Sequence, residues 1–151
     1  MTGGRLKKVI NVIDDENFLF TYGDGLSDIN IVNLVDFHTN HKKLATLTAV
    51  YAPGRFGALK IYNNQIENFN EKPMGDGAKI NGGFFVLNRN VIDYLDDDQT
   101  IFEAKPLEKL AADGELMAFE HEGFWHAMDT LRDKNYLNDL WNADNAPWKL
   151  D

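Results

Sequence analysis

The pattern of apolar and polar positions in the first third of the chain predicts alternating helices and strands. A helix is predicted over residues 2–13, a short buried strand over 18–22, a second helix over 28–38 and a β-branched strand over 45–51. The predicted N-caps are Thr2 for the first helix and Ser27 or Asp28 for the second. Helices that alternate with strands favour a parallel sheet covered on both faces.

A change of period in the middle of the chain predicts a hairpin. Residues 58–62 and 65–71 alternate between apolar and polar side chains and are joined by Asn63-Asn64. Asparagine tolerates the positive φ values of a two-residue hairpin turn. We therefore expect an antiparallel hairpin inserted in the α/β pattern.

The remaining sequence returns to helices and strands. We predict a strand over 82–87, a helix over 101–112 that ends before Gly114, a strand over 116–121 and a helix over 130–142. No linker, repeat or low-complexity tract interrupts the chain, so residues 1–151 are expected to form one domain without an internal boundary. The fold class predicted is α/β.

Composition excludes several classes of function. The chain has 151 residues, is 44% hydrophobic and has no cysteine, which rules out disulfides, cysteine-ligated zinc and thiol nucleophiles. A net charge of −9 argues against nucleic acid as a partner, because phosphate-backbone binding needs clustered Lys and Arg. No apolar run approaches the length of a membrane span, so no membrane partner is expected. A small phosphorylated ligand bound with a divalent cation remains compatible.

The sequence Gly23-Asp24-Gly25 follows the first predicted strand directly. Open α/β sheets build their ligand crevices at the carboxyl ends of strands, and glycines let the backbone approach a ligand closely. Asp24 is therefore a candidate ligand of a hard cation. A plain turn is an equally good interpretation of these residues alone.

Two further segments could bind a sugar phosphate. Glu71-Lys72-Pro73 combines an acceptor for hydroxyl groups with a point charge for phosphate, although a solvated charge pair at a strand end has the same sequence. Asn81-Gly82 could place an amide toward a hydroxylated ligand, or could be an ordinary loop.

Asp129 precedes the last predicted helix, where it could be an N-cap or first-turn acid favoured by the helix dipole. A second metal carboxylate is the alternative. The four histidines, His38, His41, His121 and His126, have no metal-ligand spacing and are interpreted as surface or core residues.

Taken in order, several segments resemble the sugar nucleotidyltransferases, and the resemblance extends along nearly the whole chain. The Pro-Gly-Arg-Phe-Gly and Gly-Phe-Trp…Met-Asp-Thr stretches are similar to the glucose-1-phosphate cytidylyltransferase branch. The matching segments are Met1-Thr2-Gly3-Gly4-Arg5-Leu6, 18–25, Pro53-Gly54-Arg55-Phe56-Gly57-Ala58-Leu59, Glu71-Lys72-Pro73, 80–87, 114–121 and Met128-Asp129-Thr130-Leu131-Arg132-Asp133.

The resemblance implies a Rossmann-like nucleotide-diphospho-sugar transferase sheet and a reaction between CTP and α-D-glucose 1-phosphate that gives CDP-glucose and pyrophosphate. It also implies Mg²⁺ as cofactor, a cytoplasmic location and a role in the supply of lipopolysaccharide O-antigen sugars. By motif, Asp24 and Asp129 would be the catalytic metal ligands. The substrate-binding positions would be Arg5 and Gly23 for the nucleotide, and Glu71, Lys72, Asn81 and Gly82 for the sugar phosphate.

The family's glycine-rich loop, which cradles the triphosphate, has no counterpart in these residues. The resemblance therefore implies that this chain is the carboxy-terminal part of such an enzyme and that it does not turn over CTP alone. The chain is then expected to expose a sheet edge or a hydrophobic face unless a partner chain covers it, and therefore to form a homo-oligomer. Alternative functions are a catalytically silent module that binds sugar phosphate or assists assembly, a thymidylyl- or uridylyltransferase relative, and an unrelated metal-binding domain.

Overall fold

The computed structural model of the chain describes residues 1–54, 58–70 and 78–149. Its α/β class, with a hairpin and a mixed sheet, confirms the predicted fold class. The helices are α1 (Thr2–Val9), α2 (Ile31–His41), α3 (Lys105–Ala112) and α4 (Leu131–Asn142), with short 3-10 helices at Ile10–Val12 and Arg89–Tyr94. The strands are β1 (Asn17–Thr21), β2 (Gly25–Ser27), β3 (Ala45–Val50), β4 (Ala58–Tyr62), β5 (Gln65–Asn70), β6 (Ile80–Asn88), β7 (Leu116–Glu120) and β8 (Trp125–Ala127).

The chain divides into two compact units, each assembled from separate stretches of sequence. The first unit contains Met1–Tyr22, Asn30–Thr48 and Gly83–Phe119, and the second contains Gly23–Ile29, Ala49–Gly82 and Glu120–Asp151. Because the stretches interleave, no single cut in the chain separates the units. No helix in the described ranges combines the length and apolar character needed to cross a lipid bilayer.

The first unit is built on a four-stranded sheet with the order β1-β6-β3-β7. Strand β1 pairs with β6 in antiparallel register, with Phe20 opposite Phe85, so the prediction of a parallel sheet is wrong at this position. The prediction rested on the alternation of helices and strands, which does not specify strand order, and in the structure β6 lies between β1 and β3. Strand β1 is also not the buried strand predicted, since it is at the sheet edge and Leu19 is 54% exposed.

An aromatic and aliphatic core fills the first unit. Phe85 and Phe102 are at most 1% exposed, their ring centroids lie 5.7 Å apart, and Phe20 contacts both. The glycines of α1 allow the helix to approach the loop before α3, because a Cβ on Gly4 would lie 2.1 Å from the carbonyl oxygen of Asp98. Leu6, Ile10, Leu87 and Leu110 complete this core.

Three predicted helix starts differ from the structure. Met1, not Thr2, is the N-cap of α1, and the Thr2 hydroxyl donates instead to Glu103 Oε2 at 2.6 Å. Asn30, rather than Ser27 or Asp28, caps α2 by accepting from Asn33 N. Helix α3 begins at Lys105 instead of residue 101, because Pro106 lacks a backbone N–H and is accommodated only in a first helical turn.

A chain of polar side chains lies beside this core. Lys43 N donates to His41 Nδ1, so a neutral His41 must donate through Nε2 to Thr46 Oγ1 at 2.7 Å. The Thr46 hydroxyl then donates to His38 Nδ1, and His38 Nε2 donates to Asn17 Oδ1. Burial, with the neighbouring His41 charge second, lowers the pKa of His38 to about 4. His38 is therefore a neutral core residue, as the sequence allowed.

The second unit contains two small antiparallel elements and α4. The β4–β5 hairpin is confirmed, and Asn63 and Asn64 have the predicted positive φ values of 47° and 63°. Strands β2 and β8 form a two-stranded ribbon that the sequence analysis did not predict. The ribbon is short, but it organises the candidate site.

Candidate functional site

The β2–β8 ribbon brings together two segments that are about a hundred positions apart in the sequence. Gly25 pairs with Ala127, Leu26 with His126 and Ser27 with Trp125. Beyond the Gly25–Ala127 pair, Met128 N donates to the carbonyl oxygen of Asp24 at 2.8 Å. Asp24 and Asp129 therefore leave the same end of the ribbon, and both residues are exposed.

The first turn of α4 holds the chain just after Asp129. The Thr130 hydroxyl accepts from Asp133 N, and the Asp133 carboxylate accepts from Thr130 N at 2.9 Å and from the Thr130 hydroxyl at 2.7 Å. The helix N-cap is thus Thr130 in a capping box. Of the two interpretations of Asp129, the N-cap is not the one observed, and its role as a metal carboxylate remains a prediction.

His126 connects the ribbon to this capping box. Its Nε2 lies 3.1 Å from Asp133 Oδ1, and its ring lies over Tyr136 with centroids 5.0 Å apart. Hydrogen bonds from Thr130, and then from His126, lower the pKa of Asp133 to about 2. The carboxylate is therefore ionised at neutral pH and binds three donors from two elements.

Asn81 and Gly82 lie at the start of β6, and Gly82 is buried. The indole Nε1 of Trp125 donates to the carbonyl oxygen of Gly82 at 2.8 Å. Asn81 and Gly82 are thus not in a loop, and strand β8 contacts this start of β6 through one side chain and the α4 capping box through the next.

The opposite end of the ribbon is closed by His121 and Asp28, whose Nε2 and Oδ1 atoms lie 2.9 Å apart. Three donors, Ser27 Oγ, Asp28 N and His121 Nε2, converge on the carbonyl oxygen of Phe124. Gly123 packs closely against this pair, because a Cβ would lie 2.5 Å from Asp28 Oδ1 and 2.7 Å from His121 Cε1, so that a larger residue would displace one of the two side chains.

The other predicted site residues are distributed as follows. Gly23 is exposed, with open space around a hypothetical Cβ, and lies beside Asp24 in the second unit. Arg5 is exposed on α1 in the first unit. Glu71 and Lys72 lie outside the described residues. The structure thus brings Gly23, Asp24, Asn81, Gly82 and Asp129 into one unit.

Sequence reasoning missed the contributions of Trp125, His126 and His121. The only sequence signal for them was the cluster of aromatic residues Phe124, Trp125 and His126 before Asp129. Trp125 and Gly82 are separated by 43 positions and His121 and Asp28 by 93, whereas His126 and Asp133 are separated by seven. Hydrogen bonds of this kind have no local sequence pattern.

The residues at the ribbon end fit a magnesium ion by the chemistry of their donors. Mg²⁺ binds through one or two carboxylates, keeps several waters and takes its other ligands from substrate phosphates. Asp24 and Asp129 would supply the carboxylates. No group of three or more His, Cys, Asp or Glu side chains with metal-binding geometry occurs in the described part of the chain, so a cage made only of protein ligands is not found there.

The family follows from a sequence comparison. The profile of the family described as nucleotidyl transferase matches residues 2–142. The chain belongs to the nucleotidyl transferase family. This assignment covers both units and confirms the resemblance drawn from the ordered segments.

Among members of this family, the chain is similar to glucose-1-phosphate cytidylyltransferases. The chain is 63% identical over 150 residues to glucose-1-phosphate cytidylyltransferase of Salmonella typhi, an alignment that covers 99% of this chain and 58% of the relative. It is 43% identical over 151 residues to a probable glucose-1-phosphate cytidylyltransferase of Bacillus subtilis, with 99% and 59% coverage. The chain therefore spans a little over half the length of these relatives.

Solved structures support the fold. HddC from Yersinia pseudotuberculosis superposes with a TM-score of 0.68 at 21% identity, covering 93% of this chain and 62% of that one. A putative glucose-1-phosphate thymidylyltransferase from Bacillus anthracis gives 0.65 at 19% identity, covering 97% and 61%. At these identities the likeness shows a shared fold.

Proposed function

We propose that this chain supplies the metal-carboxylate and sugar-phosphate side of a glucose-1-phosphate cytidylyltransferase. The observation that carries the proposal is the 63% identity to such an enzyme over 99% of the chain. The adjacent positions of Asp24 and Asp129 at one end of the ribbon support it, because the predicted metal ligands would have to lie close together.

In the proposed reaction a phosphate oxygen of glucose 1-phosphate attacks the α-phosphorus of CTP. A new P–O bond forms as the bond from the α-phosphorus to the oxygen that bridges the α- and β-phosphorus breaks, and this oxygen leaves with pyrophosphate, giving CDP-glucose. Bound Mg²⁺ supplies charge neutralisation at the phosphate oxygens. The protein's part is to position the reactants, with Asp24 and Asp129 as metal ligands, Asn81 and Gly82 together with Glu71 and Lys72 at the sugar phosphate, and Arg5 and Gly23 at the nucleotide.

The sharpest test is a chimera in which these 151 residues replace the matched region of the Salmonella typhi enzyme. With CTP, glucose 1-phosphate and Mg²⁺, we expect pyrophosphate release within about tenfold of the parent, since the compared regions are 63% identical. The 151 residues assayed alone should release none, because the triphosphate would lack a cradle of backbone donors.

Asp129→Asn and Asp24→Asn in the chimera should each lower kcat by about a hundredfold or more, as the loss of one preorganised charge-stabilising group does elsewhere. Asp139→Asn on the exposed side of α4 is the matched control and should leave kcat unchanged. A folded chimera that is inactive with CTP, or one that prefers dTTP or UTP, would contradict the proposed reaction. Unchanged kcat in both aspartate variants would instead remove the metal assignment.

The expected homo-oligomer and cytoplasmic location remain part of the proposal. The exposed Leu19 on edge strand β1 supports self-association, because unpaired strand edges are ready pairing surfaces. Sedimentation equilibrium should show a mass that is a multiple of 17.2 kDa for this chain, and Leu19→Lys should shift it toward the monomer. A monomeric parent chain would contradict this expectation.

A further inference from the structure

Strand β8 places two neighbouring polar side chains on opposite faces of a three-residue strand. Successive side chains of a strand point to opposite faces, so Trp125 and His126 cannot bind the same partner. Their partners differ accordingly. Trp125 contacts the start of β6, which contains Asn81 and Gly82, whereas His126 contacts the capping box that follows Asp129.

The contact of Trp125 is a single well-formed hydrogen bond to a buried backbone group. Its Nε1 donates to the Gly82 carbonyl oxygen at 2.8 Å, and Trp125 itself is only partly exposed. Gly82 precedes Gly83, whose φ of +78° marks a backbone conformation that few other residues adopt. A glycine pair has many alternative conformations, so a fixed acceptor at Gly82 restricts where Asn81 can lie.

His126 affects Asp129 through two intermediate residues, Asp133 and Thr130. The chain around Asp129 is anchored on one side by Met128 N, bonded to Asp24 O, and on the other by Thr130, bonded to Asp133. His126 donates to the Asp133 carboxylate and thereby orients the acceptor that holds Thr130. One anchor of Asp129 thus lies in the ribbon, and the other, in the α4 capping box, contacts the ribbon through His126.

We propose that Trp125 and His126 are positioning residues with separate tasks. Trp125 holds the Asn81–Gly82 segment for the sugar phosphate, and His126, through Asp133 and Thr130, holds Asp129 for the divalent cation. The identity of the two ligands rests on the proposed function, whereas the two positioning contacts rest on the ribbon geometry alone.

The first experiment measures positioning without any ligand, by amide hydrogen exchange on the 151-residue chain. Trp125→Phe should accelerate exchange in residues 80–84 about five- to tenfold and leave 128–133 unchanged, because one hydrogen bond is lost. His126→Phe keeps a ring against Tyr136 but loses the donor, and should accelerate exchange at 128–133 by a similar factor with 80–84 unchanged. Trp141→Phe, on an exposed tryptophan of α4, is the matched control.

Rescue separates a lost hydrogen bond from general loosening. In His126→Gln the side-chain amide can present a donor toward Asp133, so we expect most of the protection at residues 128–133 to return. Acceleration of both segments by both variants, or of neither, would overturn the proposal. A His126→Gln variant as unprotected as His126→Phe would do the same for the His126 part.

The second experiment assigns the ligands, using Mn²⁺ binding followed by electron paramagnetic resonance and glucose 1-phosphate binding followed by calorimetry. Trp125→Phe should weaken glucose 1-phosphate binding about fivefold with Mn²⁺ affinity within about twofold, and His126→Phe should show the reverse. If the parent chain binds neither ligand while the crossed exchange pattern is present, the proposed function fails and the positioning roles stand. Binding losses that are equal for both ligands in both variants would overturn the separate tasks.

Discussion

Each unit contains a histidine that forms side-chain hydrogen bonds, His38 in the first and His126 in the second, but the two differ in burial and in the charge of the group they bind. His38 in the first unit is 2% exposed, and its ring nitrogens bond only neutral groups, Thr46 and Asn17. His126 in the second unit has a side chain 17% exposed and bonds an ionised carboxylate. Burial lowers the pKa of His38 to about 4, whereas hydrogen bonds from Thr130 and His126 lower the pKa of Asp133 to about 2.

The difference shows how each unit uses polar groups. In the first unit a neutral imidazole completes a buried hydrogen-bond chain, so its protonation opposes folding. In the second unit a partly buried charge, on Asp133, is retained and is used to orient a helix start. The first arrangement is suited to holding a core together, and the second is suited to a surface where charged ligands bind.

The largest effect is expected from removing apolar volume in the first unit. Phe102→Ala should lower the free energy of unfolding by about 3–5 kcal/mol, because its side chain is fully buried against Phe20 and Phe85. Leu131→Ala, at a residue 71% exposed in the second unit, should change it by less than about 0.5 kcal/mol. Urea denaturation measures both, and comparable losses in the two variants would break the contrast between the units.

Acid should act next, through His38. Its folded pKa of about 4 lies below the ordinary value of 6.5, so the unfolded chain binds more protons between these values and stability falls as pH falls through that window. At about 1.4 kcal/mol per pKa unit, the loss is at most about 3 kcal/mol. His38→Gln should flatten the pH dependence of urea midpoints from pH 7 to 4.5, and a His38 pKa near 6.5 by NMR would contradict the burial argument.

The smallest effect is expected at the start of α4. Thr130→Ala should cost about 1 kcal/mol of stability in urea denaturation, as the loss of an N-cap hydroxyl does elsewhere.

Asp133→Asn sharpens the comparison, since the folded pKa of Asp133, about 2, lies below the ordinary 3.8. The stabilising contribution of the ionised Asp133 carboxylate is present above pH 3.8 and is lost as pH falls toward 2. The stabilities of the parent and the variant should therefore converge only in that window. If the stabilities of the parent and the Asp133→Asn variant converged between pH 6.5 and 4 instead, the window assigned to His38, the assignment of the charge effect to Asp133 would be wrong.

Local features of the sequence were sufficient for much of the fold. The β-branched strand predicted over 45–51, observed at Ala45–Val50, and the Asn63-Asn64 turn were predicted correctly, because each depends on neighbours within a few positions. The start of α4 was predicted to within one residue, although its N-cap is Thr130 and not Asp129. The ordered segments identified the family for a similar reason, since a series of short motifs is specific even when each motif is not.

The contacts between segments that are distant in sequence could be seen only in the tertiary structure. The antiparallel pairing of β1 with β6, the β2–β8 ribbon and the bond from Trp125 to Gly82 connect residues separated by tens of positions or more. Neither hydrophobic periodicity nor helix-capping preference carries information over such separations, because a strand's partner is chosen by competition among all exposed edges in the folded chain. The sequence alone therefore determined which residues could carry the chemistry, and only the folded chain determined that Asp24 and Asp129 emerge side by side.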